Sequence, residues 1–384
     1  MREFLNRIRP EPGSRFDVLG LGGCSLDELW RLPSDADLLD QSASAVIHAR
    51  ARDQIGGGAV ATTMVACRRL GLRAGFCGAV GVDEPGRAVV HGLRDEGVDT
   101  SAVRMLGQAR TRCTLTLQFG DERRSAIAVH DPTLILPEGV PSQRDVDHAR
   151  ILHVDLCFPQ AAERAARACR QTHGAVSLSL CEDSYRSEGA PSAQTPQTPK
   201  SGPVPLSAQT PSALLSTGPA DARAVDALLA HADLCVMTSN FAQRHTGVAD
   251  FERALVTLAR RTPAALLVAT LGERGCVAVD REESGERLIY CPAVPVMAGA
   301  DRTGCGGAFR AALLAFLLRS AAQSPRPLED ALRFANAAAA LKCRALGRRG
   351  CPTWREVELL LASAAAPAAG AGATPAAGAA GAAG

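Results

Sequence analysis

Aromatic residues are scarce in this chain: 4% of 384 residues, with two Trp and two Tyr. A protein that stacks nucleobases on aromatic platforms needs more rings than that. An excess of one charge is missing too, since Lys+Arg 42 against Asp+Glu 40 leaves a net +2. Such a balance offers no electrostatic footprint for nucleic acid or for an anionic membrane surface. No run of about 18 strongly apolar residues occurs, and the longest, Ala311 to Leu318, is far shorter, so no membrane-spanning helix is expected. The first residues, MREFLNRIRPEPG, lack the apolar centre of a secretory leader, and a cytoplasmic location is the expectation. The 13 cysteines contain no C-x-x-C pair and no Cys/His cluster at zinc-ligand spacing. Cys77, Cys157, Cys235 and Cys276 stand singly in apolar segments and read as reduced core residues. The eight histidines are equally scattered, so no metal site made of protein ligands is expected.

What the chain does have is an ordinary globular composition, 46% hydrophobic and 21% charged. Two segments stand apart. Residues 187–222 hold seven prolines and a repeated SAQTP, too polar to offset the entropy of ordering, and read as a disordered insert. Residues 362–384 contain only Ala, Gly, Pro, Ser and Thr and read as a disordered tail, with residues 1–15 as an N-terminal arm. Between them, short apolar runs alternate with amphipathic stripes. Strands are expected at Val18–Leu21, Gly75–Val80, Ile151–Val154, Val176–Leu180, Leu234–Met237 and Leu266–Thr270. Helices are expected at Ala61–Leu70, Arg87–Glu96, Gln160–Thr172, Ala224–Ala230 and Phe251–Arg260, and after residue 300 at Gly307–Arg319, Leu328–Leu346 and Thr353–Leu361. Strand–helix–strand repetition predicts an α/β fold, a doubly wound, mainly parallel sheet with helices on both faces. Thr114–Phe119 and Arg124–Val129, joined around Gly120-Asp121, read instead as a β-hairpin that forms part of a small lid.

Three glycine-rich loops fall at strand ends, where open α/β sheets bind ligands. Gly20-Leu21-Gly22-Gly23-Cys24-Ser25 lacks the third glycine of a dinucleotide fingerprint and no helix pattern follows, which argues against hydride transfer. An extended segment bearing Asp27 follows instead. Gly56-Gly57-Gly58 precedes a helix and is either a ligand loop or a flexible turn. Asp301-Arg302-Thr303-Gly304-Cys305-Gly306-Gly307 leads into an apolar helix, and its amides suit a phosphate, although no Walker lysine is present. Upstream, Thr270-Leu271-Gly272-Glu273-Arg274-Gly275 would let a nucleotide lie against the backbone.

The order of these motifs resembles the ribokinase-like (PfkB) carbohydrate kinases. Further similar stretches are ARDQIGGGAVATTMVACRRLG, GAVGVDEPG, LHVD, VATLGERGC and RFANAAAALKCRALGRRGCPT, so the likeness spans residues 16–361. The resemblance implies one kinase domain with a lid from about 27–54 and 111–130 over a sugar site. It implies that Asp27 holds substrate hydroxyls and that Gly57, Gly58 and Thr62 line the substrate. Thr270, Gly272 and Gly275 would contact the nucleotide, Asn336 would lie beside the adenine, and Asp301 would serve the loop structurally. Gly304, Cys305 and Gly306 would present amides to the phosphoryl group. ATP and Mg²⁺ are the implied co-substrate and ion, a sugar or nucleoside-like molecule the acceptor, and a homodimer through the lid is compatible with it.

The chain departs from that pattern at its chemical centre. The family's loop ends in an Asp that takes the proton from the substrate hydroxyl, and here that position is Gly307. Arg302 and Cys305 replace small residues, and Thr62 stands where many members carry Asn. The metal-linked Asn-x-x-Glu reads Thr238-Ser239-Asn240-Phe241, without the Glu. A positioned base contributes about 10²–10⁴-fold. Two readings follow: a sugar kinase with impaired catalysis, or an inactive sugar- and nucleotide-binding protein that senses or scaffolds. Cys305, beside a helix N-terminus, is either a thiol of lowered pKa or a small residue in place of alanine. Arg123-Arg124 are either solvated turn charges or reach an acidic substrate.

Overall fold

The computed structural model describes residues 2–8, 13–33, 48–119, 123–172, 174–181, 222–282, 285–296, 301–323, 326–345 and 350–365. The insert expected at 187–222 lies outside them except for Ala222, as do residues 366–384 of the expected tail and the side chains of Arg123 and Arg124.

The chain begins with α1 (Arg2–Arg7), β1 (Phe16–Leu21), β2 (Ser25–Leu32), β3 (Ala51–Gly57), α2 (Ala59–Arg69), β4 (Ala74–Gly81), α3 (Glu84–Asp95) and β5 (Val103–Leu106). A hairpin of β6 (Cys113–Phe119) and β7 (Arg123–Val129) follows. Then come α4 (Gln143–Asp147), β8 (Ala149–Val154), α5 (Pro159–Gln171), β9 (Ala175–Leu180), α6 (Ala222–Leu229), β10 (Leu234–Thr238), α7 (Ser239–Thr246), α8 (Phe251–Arg261) and β11 (Leu266–Thr270). A second hairpin, β12 (Cys276–Glu282) with β13 (Gly285–Cys291), precedes α9 (Cys305–Ala322), α10 (Leu328–Lys342) and α11 (Trp354–Ala365).

The main sheet has the order β13-β12-β11-β10-β9-β8-β1-β4-β5. Seven strands run parallel, and the β12–β13 hairpin adds an antiparallel edge. Side chains alternate across it as a strand requires. Val18, Ile151, Val236 and Val268 point into one apolar core with Met64 of α2, Leu93 of α3, and Phe309 and Leu313 of α9. Leu19, Leu152, Leu178 and Leu267 point into the other, with Ala162 of α5, Leu228 of α6, Phe241 of α7 and Leu258 of α8. Both faces are thus covered, which is the doubly wound arrangement expected. From β1 the chain builds outward to β4 and β5, then returns to β8 on the other side. That reversal opens a crevice beyond the C-terminal ends of β1 and β8.

Above the crevice stands a four-stranded sheet of order β3-β2-β6-β7, the expected lid, with β2 and β6 parallel and the outer pairs antiparallel. Several boundaries differ from the sequence reading. Within the expected arm, residues 2–8 are packed: α1 and the residue after it lay Phe4, Leu5 and Ile8 into the core that holds α9. Helix α9 starts two residues early, at Cys305, so Cys305, Gly306 and Gly307 form its first turn. Helix α11 runs on to Ala365, into the expected tail. Helix α9 has the length and composition to cross a membrane, with mean hydropathy 1.3 over 18 residues, yet 67% of it is buried as the central helix of this core.

Candidate functional site

The crevice is built from the acceptor side first. Gly22-Gly23 follows strand β1, and Asp155 follows β8; the Asp155 carboxylate accepts from Gly23 N–H at 3.3 Å and Cys157 N–H at 2.9 Å. A Cβ on Gly22 would stand 2.7 Å from that carboxylate. Burial pushes the Asp155 carboxyl up to about 6, against the Gly23 N–H and the nearby Arg112 and Arg310 guanidinium groups. Asp27 leaves the edge on β2, accepting from Ser25 Oγ at 2.8 Å. On β3, Gly57 pairs with Ser25 and leaves room for the Asp27 side chain: a Cβ there would lie 2.3 Å from Asp27 Oδ2. Gly58 has φ +98 and packs onto Gly23, which joins the first two glycine loops into one wall. Gly57 and Gly58 are thus closely packed backbone rather than a loose turn.

Thr62, in the first turn of α2, is 1% exposed and its hydroxyl has no partner among the described residues. It meets the anion loop. A Cβ on Gly307 would approach Thr62 Cγ2 to 2.7 Å, so this methyl fills the space that a side chain at 307 would need. In the loop, Asp301 is buried and structural: Oδ1 accepts from Thr303 N–H at 3.0 Å, and its main chain bonds Cys343 and the fully buried Lys342. Cys305 N–H is taken by Arg302 O and Gly307 N–H by Gly304 O. The amides of Gly304 and Gly306 have no partner among the described residues and remain for a ligand. Cys305 Sγ lies 2.8 Å from Cys343 Sγ. Its contact with Cys343 pushes the Cys305 thiol up, while Cys343, with that contact and Lys342 and Arg302 nearby, is drawn down to about 7. The two thiols therefore titrate as one coupled pair.

The turn expected to meet a nucleotide follows β11. Thr270 Oγ1 donates to Met237 O at 3.2 Å, and a short 3₁₀ turn at Gly272–Arg274 carries Gly272 and Gly275 with positive φ. Asn336 of α10 is buried and its Nδ2 donates to Cys291 O at 3.1 Å and Pro292 O at 3.0 Å. Arg302 pairs with Glu273, tying the anion loop to this turn across an exposed gap. The residues expected in the site lie on β2 and β3, at the end of β11 and in the turn after it, and in the loops before and the first turns of α2 and α9, with Asn336 on α10.

The pattern of pfkB family carbohydrate kinases matches residues 28–195 and 207–355. The chain belongs to that family. Fructokinase-1 of Oryza sativa subsp. japonica is 28% identical over 316 residues, 80% of this chain and 88% of the relative. Ribokinase of Bacillus subtilis (strain 168) is 24% identical over 348 residues, 90% and 99% of the two chains. Among solved structures, Arabidopsis thaliana ribokinase complexed with ribose and ATP shares the fold, with TM-score 0.66, 20% identity, and 90% of this chain and 98% of that one covered.

Membership in a carbohydrate kinase family makes the residues that sequence reasoning missed more telling. Asp155 is one, and its signal was a carboxylate directly after the strand run Ile151–Val154. Arg310 is another, the single charge between Thr303 and Leu318, on the second turn of α9. Arg112, 1% exposed at the start of the lid strand β6, lies over the Phe158 ring at 5.3 Å and contacts Cys157. His153, fully buried on β8, bonds Ser177 Oγ at 3.0 Å, and burial with Arg310 nearby lowers it to about 3, so it is neutral. The ion implied by the family finds no protein ligand set: Phe241, at the Glu position, is buried and stacked on His245 at 5.6 Å. Among the described residues no group of three or more His, Cys, Asp or Glu is placed to hold a metal. An ion here would have to arrive on the phosphates of the nucleotide.

Proposed function

We propose that the chain is an ATP-dependent sugar kinase that transfers a phosphoryl group to a hydroxyl of its acceptor, at a rate held low by Gly307. The observation that carries this reading is the convergence on one crevice of the Asp27–Gly57–Gly58 wall, the open amides of Gly304 and Gly306 and the Thr270–Gly275 turn. ATP supplies the phosphoryl group. Asp27 and Asp155 offer acceptors to sugar hydroxyls, the loop amides hold the phosphoryl oxygens, and the lid excludes water. Positioning and charge stabilisation carry most of phosphoryl transfer, so this apparatus supports slow turnover without a base. The second reading, an inactive sugar- and nucleotide-binding protein, is favoured by the way Thr62 closes the space beside Gly307.

Restoring the carboxylate separates the two. Gly307→Asp alone meets the Thr62 methyl at 2.7 Å, so it is paired with Thr62→Ser, which removes that methyl. In a coupled ADP-release assay over a panel of sugars, Gly307→Asp/Thr62→Ser is expected to exceed the natural protein by about 10²-fold or more. The single variant is expected to gain less. No gain in the double variant, with ATP and sugar binding intact by calorimetry, rejects the missing base as the cause of slow turnover. Turnover absent from every form, with binding retained, leaves the binding protein as the correct reading.

A further inference from the structure

The second turn of α9 places a cation where the family pattern has none to explain it. Side chains of a helix lean toward its N-terminus, and Arg310 does so: its Nη1 lies 3.3 Å from the position a Cβ on Gly306 would take. Its Nε donates to Thr63 Oγ1 at 3.4 Å, while Thr63 donates to Ala59 O. A guanidinium has five N–H donors. This one is half-buried and has that single hydrogen bond and no carboxylate within 4.0 Å among the described residues. A partly desolvated, unpaired cation is expensive to fold around, and such a group persists where a ligand completes it.

Independent observations lie beside it. The Gly304 and Gly306 amides are open, and the Thr62 hydroxyl, in a residue 1% exposed, has no partner among the described residues. Donors without acceptors therefore gather around the first turn of α9. The charge balance of the crevice explains why. An Asp at 307 would sit three residues before Arg310 on the same helix face and would neutralise it. Gly307 and Phe241 remove two carboxylates from the family pattern, which leaves the guanidinium available to an anion. The acceptor wall carries Asp27 and Asp155, so an acidic acceptor is repelled there, whereas Arg310 rests on Gly306 of the anion loop.

We propose that Arg310 binds the phosphoryl group held at this loop, gripping the terminal phosphate of the nucleotide through its planar, bidentate face. The proposal rests on the kinase reading for the source of that phosphate. Its chemistry is shared with free or sugar-borne phosphate, which the test separates. A protein-held cation at this point also makes nucleoside triphosphate binding independent of a divalent ion.

The test titrates ATP, ADP and inorganic phosphate calorimetrically, in EDTA, into the natural protein and into Arg310→Gln and Arg310→Lys. The natural protein is expected to bind ATP about tenfold or more tightly than ADP, the scale of a charge-assisted contact. Arg310→Gln brings ATP down to the ADP affinity and leaves ADP unchanged, and Arg310→Lys keeps part of the difference. Without ligand, Arg310→Gln melts at the same temperature as the natural protein or higher, because an uncompensated charge is gone. Equal loss of ATP and ADP, no loss of either, or a lower melting temperature of the free variant overturns the proposal in favour of a structural arginine. If the natural protein binds phosphate but neither nucleotide, and Arg310→Gln loses the phosphate, the anion site stands and the kinase reading falls. If the natural protein binds none of the three, both fall.

Discussion

At the scale of the residue, the crevice is governed by carboxylates whose surroundings differ. Asp27 sits on β2, an inner strand of the small sheet, and is partly open, whereas Asp155 is enclosed, and burial lifts its carboxyl from the ordinary 3.8 to about 6. A folded-state pKa above the unfolded one favours the protonated native form. Its stabilising contribution is complete below about pH 4 and is lost as pH rises through about 6. About two units correspond to roughly 3 kcal/mol. Urea unfolding between pH 4 and 7 is therefore expected to show a component that declines with pH in the natural protein and disappears in Asp155→Asn. An identical pH slope in the two proteins removes Asp155 as its origin. Residues of this kind are hard to read from sequence, because a carboxylate after a strand is common and only three-dimensional enclosure marks it. Asp27, Gly57, Gly58 and Gly304–Gly307 were legible because backbone geometry ties glycine to local spacing. Arg310 was visible as the single charge between Thr303 and Leu318, but its lack of a carboxylate partner among the described residues belongs to the folded state.

At the scale of the element, the parallel strands and their helices were legible and the lid was half legible. The buried strands β1, β4, β8, β9, β10 and β11 each carry a mostly apolar run. By contrast β2 and β3 read SLDELWRL and ARDQIGG, polar sequences held as strands by their partners and by pairs such as Arg52 with Glu28 at 2.7 Å. Tertiary pairing rather than propensity makes them strands. The β12–β13 hairpin was missed as well: its outer strand, GERLIYC, shows no alternation of polar and apolar residues in the sequence. The lid is fastened to the sheet by Asp83. This residue caps α3 by accepting from Gly86 N–H at 2.9 Å and also accepts from Thr111 N–H at 2.8 Å, just before β6. Asp83→Ala removes a helix cap and the tie to the lid together. It is expected to lose about 2 kcal/mol in urea unfolding, with a further weakening of sugar binding by calorimetry. A loss of stability with unchanged sugar affinity would assign Asp83 to capping alone.

At the scale of the molecule, the N-terminal segment binds the two halves of the sheet surroundings together. Phe4, Leu5 and Ile8 are 1%, 6% and 0% exposed and pack into the core that holds α9, the helix carrying the anion loop. Arg150, on the β8 strand that ends in Asp155, donates through Nε to Ile8 O at 3.2 Å and through Nη1 to Asp17 Oδ1 at 2.9 Å. Asp17 in turn accepts from Arg73 at the start of β4. A short helix that sequence alone presents as a polar arm is thus a support beneath the reversal of strand order from which the site opens. Phe4→Ala should leave a cavity in that support, with an expected loss of about 3–5 kcal/mol. A cavity beneath α9 also loosens the loop at its other end, so the affinity for ATP should fall with the stability. Urea unfolding and ATP calorimetry on Phe4→Ala check both, and Arg310→Gln serves as the comparison in which affinity changes while stability does not. A Phe4→Ala protein as stable as the parent would return α1 to the status of an arm.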